Sequence, residues 1–222
     1  MNFTESLETA FIKRQDHEKA KAMSKYMRNQ FPFFGIKTED RRSILKTIWE
    51  ENKIEVAQNS RQIAFDLFAK EQREFHYCAI EIIIKQLKKK YKKEDSILIE
   101  KWINTHSWWD SVDTIAKNIL GEYLLSFPKE TPHIIARFSN SQLLWLNRSA
   151  LLFQLGYKAK TDFNLLKSEC DKHKKSKEFF IQKAIGWALR EYAKTNPELV
   201  KSYVEQANLM SLSQKEALKN FY

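Results

Sequence analysis

The sequence predicts an all-α fold, and three observations lead to that prediction. Glycine and proline are scarce, with four of each among 222 residues, so the chain lacks the turn residues that a β-sandwich or barrel requires. Hydrophobic residues make up 43% of the chain, which is enough to form a packed core. Apolar residues recur at helical spacing along most of the chain, whereas no alternating run is long enough to predict a strand.

The helical spacing is clearest in the stretch EFFIQKAIGWALREYAK at residues 178–194. Its apolar positions recur at steps of three and four residues, as they do on one face of a helix. They are Phe180, Ala184, Trp187, Ala188 and Tyr192. Asn196 and Pro197 then predict the end of this helix and the start of the next. Nearer the N-terminus, Thr38 is predicted to be the N-cap of a helix with an acidic first turn.

Four segments share a pattern in which a large apolar residue is followed, four positions later, by a small residue or once by an acid. The pairs recur every 34 to 37 residues and are Phe75/Ala79, Trp109/Asp113, Leu146/Ala150 and Phe180/Ala184. A period of this length is typical of stacked antiparallel helix pairs. The sequence therefore predicts a single domain over residues 1–222, a HEAT-like α-solenoid with a concave face.

The formal net charge of +10 favours a polyanionic partner, although solubility alone also explains a basic balance. Two lysine-rich runs, KQLKKKYKK at 85–93 and KHKKSK at 172–177, favour such a partner further. Each run is also compatible with a solvated helix end or loop. We expect the concave face to be basic, and the charge alone does not identify its ligand.

Several function classes have no motif in this chain. The glycines are too scattered for a dinucleotide fingerprint or a P-loop, and the five histidines are isolated. Cys78 and Cys170 lie outside any CxxC motif, which favours two buried thiols in a reducing cytosol over one disulfide. The N-terminal stretch lacks the apolar run of a signal peptide, and no segment approaches a membrane span. We expect a cytoplasmic protein, in the bacterial cytosol or nucleoid, without a metal or cofactor and without a membrane partner.

The stretch HSWWDSVD at 106–113 departs from the repeat pattern. It places Asp113 where the other three segments have alanine, and burial of an acid there costs free energy unless something offsets it. Asp113 could pair with Lys117, cap a neighbouring helix or lie on a rim, or it could act chemically. Trp109 lies one helical turn before it and shares its face. One acid, the two indoles of Trp109 and Trp187 and the nearby Arg148 together suit a cationic or oxocarbenium-like group beside a phosphate backbone.

Four stretches of the chain resemble the AlkD-type DNA alkylation repair glycosylases, which are HEAT-like all-helical proteins. They are SKYMRNQFPFFGI at 24–36, SWWDSVD at 107–113, LWLNRSALLFQL at 144–155 and SKEFFIQKAIGWALREYAKTNPE at 176–198. The resemblance covers essentially the whole chain. It implies an enzyme of base excision repair that hydrolyses the N-glycosidic bond of N3- and N7-alkylated purines in duplex DNA. It also implies that the lesion is not flipped into a base pocket, and we expect a monomer.

The resemblance also implies roles for individual residues. The catalytic acid of the family falls on Asp113, its sugar-facing tryptophans on Trp109 and Trp187, and its arginine on Arg148, which we expect to clamp a phosphate. The family's further DNA contacts fall on Tyr26, Lys37 and Thr38. Some members carry a lysine where this chain has Gly156, so one basic contact is in doubt. Lysines nearby in the sequence leave further candidates for DNA contacts, namely Lys158, Lys160 and Lys183.

Two other functions fit a basic helical repeat protein. A non-catalytic relative could bind branched or distorted DNA, and an α-solenoid could serve as a scaffold for another protein. The presence of Asp113, Trp109 and Arg148 together favours the enzyme over both.

Overall fold

A computed structural model describes residues 1–221, and in this range the chain is helical and contains no strand. The predicted all-α class is confirmed. No described helix is both long and apolar enough to cross a membrane. The α-helices are α1 (Phe3–Lys13), α2 (His17–Tyr26), α3 (Thr38–Glu51), α4 (Lys53–Phe68), α5 (Arg73–Gln86), α6 (Asp95–Asn104), α7 (Trp109–Ile115), α8 (Gly121–Ser126), α9 (Thr131–Ser139), α10 (Leu144–Leu152), α11 (Phe163–His173), α12 (Phe179–Ala193), α13 (Pro197–Gln206) and α14 (Ser211–Ala217).

The helices group into two compact units. The first, Met1–Lys90, contains α1 to α5, and the second begins at Tyr91 and contains α6 to α14. The single domain over residues 1–222 stays a prediction, and each unit is described by itself. Both cysteines are buried free thiols, as expected, with Cys78 in the first unit and Cys170 in the second.

In the first unit a buried carboxylate shapes the loop that leads into α3. Glu74 of α5 accepts hydrogen bonds from the backbone N–H groups of Phe34 at 3.1 Å, Gly35 at 3.0 Å and Ile36 at 3.1 Å. Gly35 has a φ of +86°, and a Cβ there would lie 2.1 Å from the carbonyl oxygen of Asp16. Only glycine fits this turn, and Glu74 supplies the acceptor that its backbone needs.

This loop changes how α3 begins. Lys37 is the N-cap, in an extended conformation with no side-chain capping bond, and Thr38 is already the first helical residue. The prediction that Thr38 is the N-cap is therefore wrong. The sequence pattern of a polar residue before an acidic turn fits both positions. The loop bonded to Glu74 determines which residue leaves the helical conformation first.

In the second unit α7 continues into α8 through a π-helical turn, Ala116–Leu120. Such a turn holds one residue more than an α-helical turn. Gly121 follows it, and a Cβ there would lie 2.5 Å from the carbonyl oxygen of Phe153. The Tyr157 hydroxyl donates to the carbonyl of Gly121 at 2.5 Å. The helix that begins at Trp109 is thereby fixed against the residues that follow α10.

The four repeat segments lie at the N-terminal ends of α5, α7, α10 and α12. Their alanines Ala79, Ala150 and Ala184 are buried, as close packing of helices requires. Asp113 occupies the same register on α7, and its side chain keeps 13% of its surface exposed. The three alanines are buried as the pattern predicts, and the acid is mostly removed from water.

Replacement of Glu74 by alanine tests the role of its carboxylate in stability. The change leaves three backbone N–H groups without their acceptor, and we expect the free energy of unfolding to fall by about 2–4 kcal/mol. Urea unfolding followed by circular dichroism measures the loss. Glu71→Ala is the control, because Glu71 is exposed in the same segment. Equal stability of the two variants would contradict the structural role of Glu74.

Candidate functional site

Asp113 of α7 and Arg148 of α10 form a buried ion pair. Arg148 Nε donates to Oδ1 of Asp113 at 2.7 Å, and Arg148 Nη2 donates to Oδ2 at 2.8 Å. The remaining terminal nitrogen, Nη1, donates to the main-chain carbonyl of Phe180 in α12. One guanidinium therefore connects α7, α10 and α12. The pair is bidentate, which fixes the plane of the carboxylate as well as its position.

This ion pair explains how an acid is tolerated at the repeat position where the other three segments have alanine. Of the alternatives for Asp113, pairing with Lys117 does not occur in the structure, since the carboxylate faces Arg148 instead. Burial raises the pKa of Asp113, and the two hydrogen bonds from Arg148 oppose that rise. The nearby Asp110 raises the pKa a little further. Arg148 is thus the group that favours the charged form of a desolvated carboxylate.

The placement of Arg148 differs from the one expected from the sequence. We predicted that it clamps a DNA phosphate, but its side chain is only 5% exposed, and its guanidinium is bonded to Asp113 and to Phe180. A phosphate contact would require these bonds to open. In the structure Arg148 orients Asp113, and its contact with a DNA phosphate stays a prediction.

An aromatic cluster lies beside the ion pair. The ring centroids of Trp108, Trp145 and Phe180 are 5.0 to 5.7 Å apart. The guanidinium of Arg148 lies 5.8 Å from the Phe180 ring centroid. Trp108 and Trp145 pack against each other and against Phe180 in this cluster. The apolar surroundings strengthen the electrostatic interaction between Asp113 and Arg148.

The two tryptophans that the resemblance places at the sugar, Trp109 and Trp187, are both half-buried. Trp109 begins α7, one turn before Asp113, and Trp187 lies on α12, packed against the core of the second unit. Neither indole is sealed inside the protein, so each keeps part of its ring available to a ligand. Both belong to the same compact unit as Asp113.

Cations flank Trp187 on α12. Lys183 lies one turn before it and Arg190 one turn after it, so the three side chains share a face. Lys183 was predicted as a DNA contact, and its ammonium forms an ion pair with Glu216 of α14 at 2.6 Å. Arg190 was missed, although its spacing of three residues from Trp187 was a usable sign. It pairs with Glu216 as well, at 2.7 Å.

The loop after α10 approaches the side chain of Lys117 at Gly156 and carries two further lysines. Gly156 has a φ of +88°, and the place where its Cβ would lie is 3.4 Å from Cε of Lys117. Lys117 is exposed and follows Asp113 by four residues, so it borders the space that a lysine at position 156 would enter. Lys158 and Lys160, the ends of a short 3-10 turn, are exposed on this loop.

The remaining predicted contacts belong to the first unit. Tyr26 ends α2 and is 70% exposed, and Lys37 and Thr38, which begin α3, are exposed too. Their surfaces are open to a ligand. The structure thus groups Asp113, Arg148, Trp109, Trp187, Lys158 and Lys183 in the second unit and these three residues in the first.

The arrangement in the second unit has a definite chemical capacity. A carboxylate fixed in a dry setting stabilises a positive charge that forms beside it more strongly than it would in water. The indole faces of Trp109 and Trp187 attract cationic groups in the same way. Among the described residues no group of three acidic, histidine or cysteine side chains could hold a metal ion.

The sequence matches the family model described as DNA alkylation repair enzyme over residues 7–221. Among solved structures it is similar to a protein from Enterococcus faecalis described as a predicted DNA alkylation repair enzyme. The two share 33% sequence identity and a TM-score of 0.84, over 93% of this chain and 96% of that one. No curated protein matches the chain.

Two structures from Streptococcus mutans show the fold alone. AlkD2 is 20% identical, with a TM-score of 0.61 over 83% of this chain and 90% of that one. The protein smu.31 is 18% identical, with a TM-score of 0.58 over 81% and 98% of the respective chains. The predicted HEAT-like helical class is confirmed by these likenesses.

Replacement of Arg148 by methionine tests the coupling between the two charges. Without the guanidinium nothing opposes the effect of burial, so we expect the pKa of Asp113 to rise above its value in the unmodified protein. A carboxyl-carbon NMR titration measures it. The folded-state pKa of Asp113 then lies further above the unfolded value of about 3.9. The loss of folding stability relative to the unmodified protein is therefore small in acid, where Asp113 is protonated, and it grows as the pH rises from the unfolded pKa to the folded pKa.

The control for this titration is Arg137→Met, which removes a half-exposed arginine that pairs with Glu100 instead. It should leave the pKa of Asp113 unchanged. An Asp113 pKa that stays constant or falls in Arg148→Met would refute the coupling.

Proposed function

Because the chain belongs to the DNA alkylation repair enzyme family, we propose that it is a DNA glycosylase for alkylated purines. Its substrate would be N3- or N7-alkylated purine in double-stranded DNA, and the reaction hydrolyses the N-glycosidic bond to leave an abasic site. The observation that carries the proposal is the buried Asp113 carboxylate, held in one orientation by Arg148 within a protein of net charge +10.

The chemistry of the lesion explains why such a carboxylate suffices. An N3- or N7-alkylated purine is already cationic, so it leaves without a proton from a general acid. As the bond breaks, positive charge moves to the deoxyribose. A fixed carboxylate near C1′ stabilises that charge and orients the attacking water. In this proposal Asp113 has both tasks, and it performs them in its ionised form.

Arg148 then acts through Asp113. It opposes the rise in the pKa of Asp113 that burial causes, and it sets the direction of the carboxylate oxygens. A guanidinium so close also weakens the attraction between Asp113 and an approaching cation. The geometry offsets part of this weakened attraction, because Arg148 lies on one edge of the carboxylate and its bond to the carbonyl of Phe180 holds it there.

The other residues hold the DNA. Trp109 and Trp187 place their indole faces against the sugar and favour its cationic form. Lys158, Tyr26, Lys37 and Thr38 bind the backbone, whose contacts position the duplex without reading its sequence. Selectivity comes from the lability of the cationic base rather than from a pocket for a flipped base. Neutral lesions are then poor substrates. A monomer in the bacterial cytosol completes the proposal.

A non-catalytic protein that binds distorted DNA is the second candidate. The cations around Trp187 serve binding in either case, so they do not separate the two. Asp113 favours the enzyme, because a desolvated carboxylate held in one orientation suits stabilisation of a developing positive charge, which binding of DNA alone does not require.

Asp113→Asn tests the proposed role directly. The amide keeps the shape and loses the charge, so we expect release of free base from methylated duplex DNA to slow by about 10²-fold or more. Binding of the same DNA should be unchanged or tighter, because a negative charge has been removed. Single-turnover kinetics and fluorescence anisotropy measure the two effects.

Asp66→Asn is the matched control, since it makes the same chemical change at an exposed position on α4. It should excise at the wild-type rate. If Asp113→Asn does so too, Asp113 is not the catalytic carboxylate. If the wild-type protein binds methylated DNA and releases no base, the non-catalytic candidate is correct.

A further inference from the structure

One carboxylate holds both cations that flank Trp187. Oε1 of Glu216 lies 2.6 Å from Lys183 Nζ, and Oε2 lies 2.7 Å from Arg190 Nη1. The same Arg190 nitrogen donates to the main-chain carbonyl of Glu216 at 3.0 Å. An acid in the middle of a basic helix face is unexpected in a protein whose partner is a polyanion.

The backbone around Glu216 is built to bring it there. Gly186 of α12 has no side chain, and a Cβ at that position would lie 2.3 Å from Cβ of Glu216 and 2.8 Å from the carbonyl oxygen of Ser213. The Ser213 hydroxyl donates to the carbonyl of Gln182 at 3.0 Å. α14 therefore lies directly on the backbone of α12, and Glu216 has little freedom to leave its two partners.

The electrostatic consequence is local. The hydrogen bond from Lys183, followed by that from Arg190, lowers the pKa of Glu216, so the carboxylate is charged at neutral pH. Its side chain is 16% exposed, whereas Lys183 keeps 35% and Arg190 keeps 20% of their side-chain surfaces open. The cations are accessible, and one of their two positive charges is already neutralised.

We propose that Glu216 is a specificity-determining residue that competes with DNA phosphates for Lys183 and Arg190 and so limits binding to undamaged DNA. This inference rests on the proposed function. Sequence-independent affinity grows with each phosphate that a lysine or arginine neutralises. A protein of net charge +10 that searches for rare lesions must dissociate from undamaged DNA. Glu216 lowers the backbone affinity beside Trp187 without touching Asp113.

The first test measures affinity for undamaged duplex by fluorescence anisotropy at several salt concentrations. Glu216→Gln keeps the shape of the side chain and frees its cations for one more phosphate contact. We expect binding to tighten roughly fivefold at about 0.15 M salt, with a salt slope steeper by about 0.9. The matched control is Glu205→Gln, which changes the net charge equally at an exposed position on α13. Equal affinities of the two variants, or weaker binding by Glu216→Gln, would overturn the proposal.

A double-mutant cycle gives an independent test. Competition predicts that Lys183→Gln weakens binding little when Glu216 is present, and weakens it more in the Glu216→Gln background. Additive effects would contradict competition.

If circular dichroism shows that Glu216→Gln does not fold, the salt dependence of DNA binding by Lys183→Gln tests the proposal instead. A salt slope lower by the full 0.9 would mean that Lys183 already binds phosphate, which overturns the proposal, and a smaller change supports it.

These measurements are separate from the test of catalysis. Release of base from methylated DNA depends on Asp113, whereas binding of undamaged duplex does not. Tighter binding by Glu216→Gln in a protein that releases no base would support the role of Glu216 and reject the glycosylase. Normal base release with no effect of Glu216→Gln would reject only the role of Glu216.

Discussion

The ion pair between Asp113 and Arg148 is the interaction on which the rest of the site depends. A carboxylate at that depth costs free energy through lost hydration, and one side chain offsets this cost by facing both of its oxygens. The same guanidinium reaches the main chain of α12 at Phe180. The pair thus contributes to the packing of α7, α10 and α12 while it orients the acid, so packing and chemistry share one contact.

Small residues explain why these helices can come so close. Ala150 and Ala184 are buried at the positions that correspond to Asp113 on α7, and Gly121 and Gly186 admit a neighbouring helix or carbonyl where a Cβ would clash. Asp113 is larger than alanine and charged. It fits because Arg148 enters from α10 with its guanidinium edge on, and because the rings of Trp108, Trp145 and Phe180 exclude water around both.

Local sequence patterns predicted the helices, the register and the unusual position of Asp113, since all three depend on neighbours a few residues apart. Partners distant in the sequence were not predictable in this way. Arg148 lies 35 residues after Asp113, and nothing in its own segment distinguishes a phosphate clamp from an orienting residue. Glu216 lies 26 residues after Arg190 and outside every motif. The start of α3 was misplaced for the same reason, because Glu74, 38 residues from Ile36, fixes the preceding loop.

In the proposed function, Asp113 and Glu216 place opposite demands on a DNA-binding protein. Asp113 needs a neighbouring cation that opposes the rise in its pKa caused by burial, and that cation must not be free to draw a phosphate onto the carboxylate. The burial of Arg148 meets both conditions. Lys183 and Arg190 are in the reverse situation, because Glu216 neutralises one of their two charges and leaves both side chains partly exposed. In the proposed function, the depth of each pair, rather than its charge, separates a group that acts on a transient positive charge from groups for which DNA phosphates compete.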